Sequence, residues 1–193
     1  YKDWETVDNQ TRKEAYAQKM QDMYQENEDD TEVAIFYALA LRASAVPSDK
    51  TYSKQRDAGK ILEDLFKKQP NHPGIAHYII HSYDYPELAK LGLSTARRYA
   101  DIAPNSAHAQ HMPSHIFTRL GLWNESISTN LNSAESAICY AESIAPGAHW
   151  DEEVHAMGYL VYAYLQTGNN KLANEQYEYL KTFKEIFPPN FKI

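Results

Sequence analysis

Apolar residues recur along this chain at helical spacing, in stretches separated by short polar breaks. Residues 11–26 set Ala15, Met20, Met23 and Tyr24 on one stripe. Asp29-Asp30 interrupts the pattern, and either aspartate can cap the next helix by accepting from its first free N–H groups. Glu32 to Ser44 is apolar nearly all round, which predicts a helix buried between neighbours. Val46 to Lys50 reads as a loop. A second helix follows to about Lys68, with Ala58, Ile61, Leu62, Leu65 and Phe66 at helical spacing. The run from Gln69 to Gly74, which holds two prolines, stops it.

The layout then repeats. Ile75 to Tyr83 and Leu88 to Ile102 are predicted helices with a turn at Tyr85-Pro86. Residues 107–120 and 122–144 form the next pair, split by Gly121. Residues 151–166 and 170–186 form the last, split by Gly168-Asn169 and ended by Pro188-Pro189. The expectation is an all-α chain of about four helical hairpins, near 31–69, 73–103, 106–144 and 151–187, preceded by half of another. Such a hairpin cannot bury its apolar face alone, so stacking gives one continuous core. The chain is therefore expected to form a single right-handed α-solenoid domain over 1–193.

Two histidine pairs fix the period. His77 and His81 are four residues apart, as are His111 and His115, and the second pair follows the first by 34 residues. That is the period of the tetratricopeptide (TPR) helix–turn–helix repeat. The repeat's signature runs Trp-x2-Leu-Gly-x2-Tyr, then Ala-x3-Phe, then Pro. The fourth hairpin fits best, with Met157, Leu160, Val161, Tyr164, Ala173 and Tyr177 at the required offsets. The first supplies Ala58, Leu62 and Pro70, and the second Tyr83, Ala96 and Pro104.

Composition narrows the function classes. The net charge is −7 and no Lys/Arg stripe lies along any face, which argues against nucleic acid as a partner. The lone Cys139 rules out an internal disulfide and a cysteine-based zinc site. No apolar run approaches 18 residues, so no membrane-spanning helix is expected. The opening Tyr1-Lys2-Asp3-Trp4 reads as an internal fragment or processed product of a longer chain. No Gly-rich phosphate loop or His-Glu-x-x-His signature is present. No strand-to-helix elbow exists to expose Ser82 or Ser114 as a nucleophile, so catalysis is not expected.

Two longer stretches carry a resemblance. One is His72-Pro-Gly-Ile-Ala-His77-Tyr-Ile-Ile-His81-Ser-Tyr-Asp84-Tyr-Pro. The other is His108-Ala-Gln-His111-Met-Pro-Ser-His115-Ile-Phe-Thr-Arg119-Leu-Gly-Leu-Trp123. With the blocks at Tyr1–Asp8, Phe36–Leu41, Asp49–Tyr52 and His155–Leu165, the chain resembles a bacterial family of TPR proteins. The resemblance implies a helical-repeat scaffold and a longer parent protein, and it brings no assigned reaction.

In a TPR array the first helix of each hairpin lines the concave groove. His77, His81, His111 and His115 would then project inward from neighbouring helices whose axes pack ~8–10 Å apart. Asp84, His108 and Arg119 lie one turn away on the same faces, and His155 falls on the following first helix. Three readings compete. Imidazoles from the two His-x-x-x-His helices can bind Zn²⁺ or Cu²⁺, with Asp84 as a fourth ligand or an outer partner that fixes a tautomer. The groove can bind a peptide or an anion. The histidines can instead staple stacked helices through hydrogen bonds. Pro113 bears on all three, because it removes a backbone donor between His111 and His115 and can splay them or aim them together. The sequence thus predicts a scaffold for protein, peptide or intramolecular interaction through His77, His81, Asp84, His108, His111, His115 and Arg119. Metal binding by His77, His81, His111 and His115 is the alternative, and loss of bound metal in a His77→Ala variant is its test.

Overall fold

A computed structural model describes residues 3–188 and divides into two compact units that meet in sequence between Tyr83 and Asp84. Residues 1–2 and 189–193, among them the Tyr1-Lys2 opening and Pro189, lie outside the described residues. The first unit is four helices, α1 (Asn9–Glu26), α2 (Thr31–Ala43), α3 (Ser53–Lys68) and α4 (Pro73–Tyr83), each packed on the next. Of the two aspartates offered as caps of α2, Asp30 takes the role, and Asp8 caps α1. Asp8 accepts from the Thr11 N–H at 3.0 Å, and Asp30 accepts from Glu32 and Val33. Small and large apolar residues share the buried faces of these helices: Ala34, Ala38, Ala58, Ile35, Leu62, Ile75 and Ile79 are all essentially inaccessible. Burying each such large aliphatic side chain favours folding by about 1.5–3 kcal/mol. One expectation is corrected here. Helix α2 is not buried all round, because Phe36 is 50% exposed.

Gly59 shows how tight the packing is. It lies on α3 where the ring of Tyr83 on α4 crosses, and any Cβ at that position would overlap the ring. The Tyr83 hydroxyl donates to Glu63 at 3.1 Å, which holds the ring in place.

The second unit holds α5 (Ala89–Ile102), α6 (Ala107–His111), α7 (Pro113–Leu120), α8 (Trp123–Ile144), α9 (Asp151–Gln166) and α10 (Asn170–Leu180). Helix α8 is its spine and packs against α6, α7 and α9. The helix expected over 107–120 is interrupted at Met112 because Pro113 has no N–H to give. Met112 keeps helical dihedrals, and backbone bonds bridge the break: its N–H reaches the His108 carbonyl at 3.0 Å, and the His115 N–H reaches the Met112 carbonyl at 3.2 Å. Gly121 ends α7 with φ +69°, and the Leu122 N–H bonds back to Phe117 at 2.9 Å, a close that calls for glycine.

A second correction concerns the C-terminal end. The helix expected over 170–186 stops at Leu180. Beyond it the chain turns back, and β2 (Ile186–Phe187) pairs in parallel with β1 (His149–Trp150). Phe183 stacks flat on the His149 ring at 3.4 Å, and the buried Glu153 accepts from His149 at 2.9 Å and from the Tyr179 hydroxyl at 3.1 Å. These tertiary contacts override the helical preference of the segment.

Candidate functional site, an imidazole-rich seam

The candidate site grows from two matched stripes in the second unit. On α6–α7 the spacing His108, His111, His115, Arg119 keeps one face turned the same way for three turns despite the break at Met112. On α9 the spacing Glu152, His155, Tyr159, Tyr162 does the same. The stripes meet as rungs. His108 bonds the Glu152 carboxylate at 3.1 Å and 3.2 Å. The His111 ring lies 4.4 Å from that of His155 and 4.6 Å from that of Tyr159. The Tyr159 hydroxyl comes within 3.4 Å of His115 Nδ1. Trp123, at the start of α8, meets Tyr162 edge-on at 5.8 Å.

Hydrogen bonds fix the proton on each central ring. The Asn130 side chain, fully buried on α8, donates through Nδ2 to the Ser126 carbonyl at 2.8 Å. Its Oδ1 is therefore the atom facing His111 Nδ1 at 2.7 Å, and it accepts the Nδ1–H. His111 is wholly buried, and burial first, then the neighbouring His115, push its pKa down to about 3. It is a neutral ring whose Nε2 carries a lone pair.

His115 is oriented from the other side. Burial pushes the Asp84 carboxyl up, but hydrogen bonds and charge from His115 and Arg119 outweigh that and leave it below the usual value. The Asp84 carboxylate can then only accept, and it does so from His115 Nδ1 at 2.9 Å and from Arg119 Nε at 2.8 Å. His115 Nε2 consequently points at His111 Nε2, 3.0 Å away. Either His115 carries a second proton and donates it to His111, or two lone pairs face each other across 3.0 Å. A proton or a cation between the rings resolves that contact.

The ends of the stripes are paired too. His108 is raised, first by its bond to Glu152, and Glu152 is lowered by the same bond. His108 and Arg119 each keep 44% of the side chain exposed, so the seam runs from a buried centre to accessible ends.

Five of the seven residues singled out in the sequence thus share this seam: Asp84, His108, His111, His115 and Arg119. His77 and His81 belong to the first unit, on α4, where their rings meet edge-on at 4.6 Å and His77 also meets Tyr78. Both are half-buried. Sequence reasoning placed His155 on the next first helix without including it in the site, although its offset from Glu152 and Tyr159 carries the signal. It missed Asn130 and Glu152, which only a contact across helices reveals.

The class these features define is an all-α helical-repeat protein with a polar, imidazole-rich seam between consecutive hairpins. Solved structures of MamA share the fold. Residues 41 to the end of MamA from Desulfovibrio magneticus RS-1 superpose with a TM-score of 0.66 at 15% identity, over 88% of this chain and 84% of that one. MamA of AMB-1 gives 0.63 at 14% identity over 89% of each chain, and MamA of MSR-1 gives 0.57 at 16% identity over 88% and 90%. At this identity the likeness shows the fold, a TPR-type helical solenoid. No protein-family model and no curated protein matches the sequence. No helix among the described residues is long and apolar enough to cross a membrane.

Proposed function

We propose that this chain is a non-enzymatic interaction scaffold that recognises an extended polypeptide along the seam of α6–α7 and α9. One observation carries the reading: first helices of consecutive hairpins present matched polar and aromatic stripes whose ends stay accessible. Arg119 and Tyr162 stand at one end, 44% exposed in its side chain and 48% exposed respectively, and His108 stands at the other. Tyrosine and arginine are the residue types enriched at protein-recognition surfaces, because each joins a broad face to a directional donor. The buried centre holds those groups in place, so little side-chain entropy is left to lose on binding. His77 and His81 extend the reading as a second recognition face on α4. The polypeptide can be a separate protein or further repeats of a longer parent chain. We also place the chain with the bacterial TPR proteins that its two histidine motifs resemble.

Selection from a displayed random-peptide library tests the reading. The wild-type chain is expected to enrich a common motif, and an Arg119→Ala/Tyr162→Ala variant with unchanged helicity is expected to lose it. Equal enrichment by that variant, or no motif above an unrelated helical control, overturns it.

A further inference from the structure

We propose that His111, His115 and His155 form a binding site for a divalent transition-metal ion of the zinc or copper class. Each offers one ring nitrogen, and these nitrogens all lie within 4.8 Å of one another. Two imidazole nitrogens on a tetrahedral ion at ~2.0–2.1 Å stand roughly 3.3 Å apart. The His111–His115 pair, at 3.0 Å, is already near that separation, and a modest rotation of His155 brings in the third. His155 is exposed where His111 is buried, so the cluster opens to solvent on the α9 side and the residue that must move is the one free to do so.

The surroundings are what such a ligand set needs. A metal-bound histidine presents one nitrogen to the ion and donates its other N–H to a carboxylate or carbonyl oxygen. His115 donates Nδ1–H to Asp84, which Arg119 anchors, and His111 donates Nδ1–H to the amide oxygen of Asn130. Both rings are thereby fixed in the tautomer that turns Nε2 toward the other. Three neutral imidazoles without a thiolate suit a borderline ion such as Zn²⁺ or Cu²⁺ better than Mg²⁺ or Ca²⁺, which prefer oxygen. The ion would tie α6 and α7 to α9 across the seam. This inference stands apart from polypeptide recognition: the ligands are the three central imidazoles, and the proposed contacts are the two ends of the seam.

The test is a Co²⁺ titration of the chelator-treated full chain, followed by visible absorption, with Zn²⁺ as competitor. One equivalent is expected, with the absorption of a nitrogen-ligated site and displacement by Zn²⁺. His155→Gln removes an exposed ligand without disturbing the core and should weaken binding by more than the roughly 10–100-fold typical of an outer partner. Asp84→Asn, which touches no ion, should cost about that 10–100-fold. His72→Gln, in the first unit, should bind as wild type. No stoichiometric uptake by the wild-type chain overturns the proposal. So does wild-type affinity in His155→Gln, and so does loss of the same site in His77→Ala.

Discussion

Replacing Asn130 by leucine removes the bond that orients His111. Leucine keeps the branching of asparagine but is bulkier, so part of any single-variant loss is overpacking, and only the coupling with His111 isolates the bond. The Ser126 carbonyl loses the Asn130 amide but keeps the Thr129 hydroxyl at 3.2 Å, so the loss concentrates on the buried His111 Nδ1–H. An orphaned buried donor costs about 1–3 kcal/mol. The Ser114 hydroxyl, 3.5 Å from Nδ1 and itself fully buried, recovers part of that by shifting toward the ring. We expect Asn130→Leu to destabilise the metal-free protein by about 1.5–3 kcal/mol. His111→Leu/Asn130→Leu removes both partners of this bond; Ser114 and His115 lose His111 in both variants that carry His111→Leu, so the cycle cancels that cost. The pair should therefore couple by roughly 1–2 kcal/mol, within the range of contacting residues. Urea denaturation in chelator, followed by far-ultraviolet circular dichroism, measures all four corners of the cycle. Asn130→Leu within about 0.5 kcal/mol of wild type, or simple additivity, would refute the assignment of the His111 proton to Nδ1.

Other outcomes follow from the same geometry. Gly59→Ala gains about 1 kcal/mol of helix propensity, but the overlap with a Tyr83 ring that is 2% exposed costs about 1–3 kcal/mol, so it should destabilise. In a Tyr83→Ala background the same change should raise the thermal midpoint, and an unchanged sign would refute the steric reading. The His108–Glu152 pair should contribute below 1 kcal/mol, given its exposure, and with a definite pH window. The raised His108 stabilises fully below its unfolded pKa of about 6.5 and loses this as pH rises through its folded value. The lowered Glu152 stabilises above about 4.5 and loses this as pH falls through its folded value. The stability gap between wild type and His108→Gln should thus peak between about pH 4.5 and 6.5, and a gap that widens toward pH 9 contradicts it. Glu153→Ala leaves His149 and Tyr179 without their shared acceptor and should cost about 2–4 kcal/mol. Amide exchange should speed up first over Thr182–Phe187, and unchanged protection there would show that the segment is held by other contacts.

The helices were legible because their apolar periodicity is strong and their stops are explicit. Asp30, Gly121 and the prolines after Lys68 punctuate the chain where the structure does. The site was half legible. The i, i+4 spacing put His111 and His115 on one face, and Asp84, His108 and Arg119 were found by the same arithmetic. Asn130 was invisible, since an asparagine inside a helix carries no signal until the helix opposite it is known. The short β2 pairing was equally hidden, because it depends on Glu153 and Phe183 acting on a distant loop. Pro113 left two outcomes open on sequence, and the 3.0 Å approach of the two Nε2 atoms decides for convergence of His111 with His115.

The rungs of the seam have an evolutionary corollary. Repeat arrays commonly change length by gaining or losing whole copies, since each copy offers the same face to the next. Here the two faces are complementary rather than alike: histidine meets glutamate on one rung, and two imidazoles meet a third ring and a tyrosine on the next. A duplicated or deleted hairpin at this junction would set like against like and leave buried polar groups unpaired. The third and fourth hairpins should therefore be moved or exchanged only as a matched couple if the seam is to stay paired.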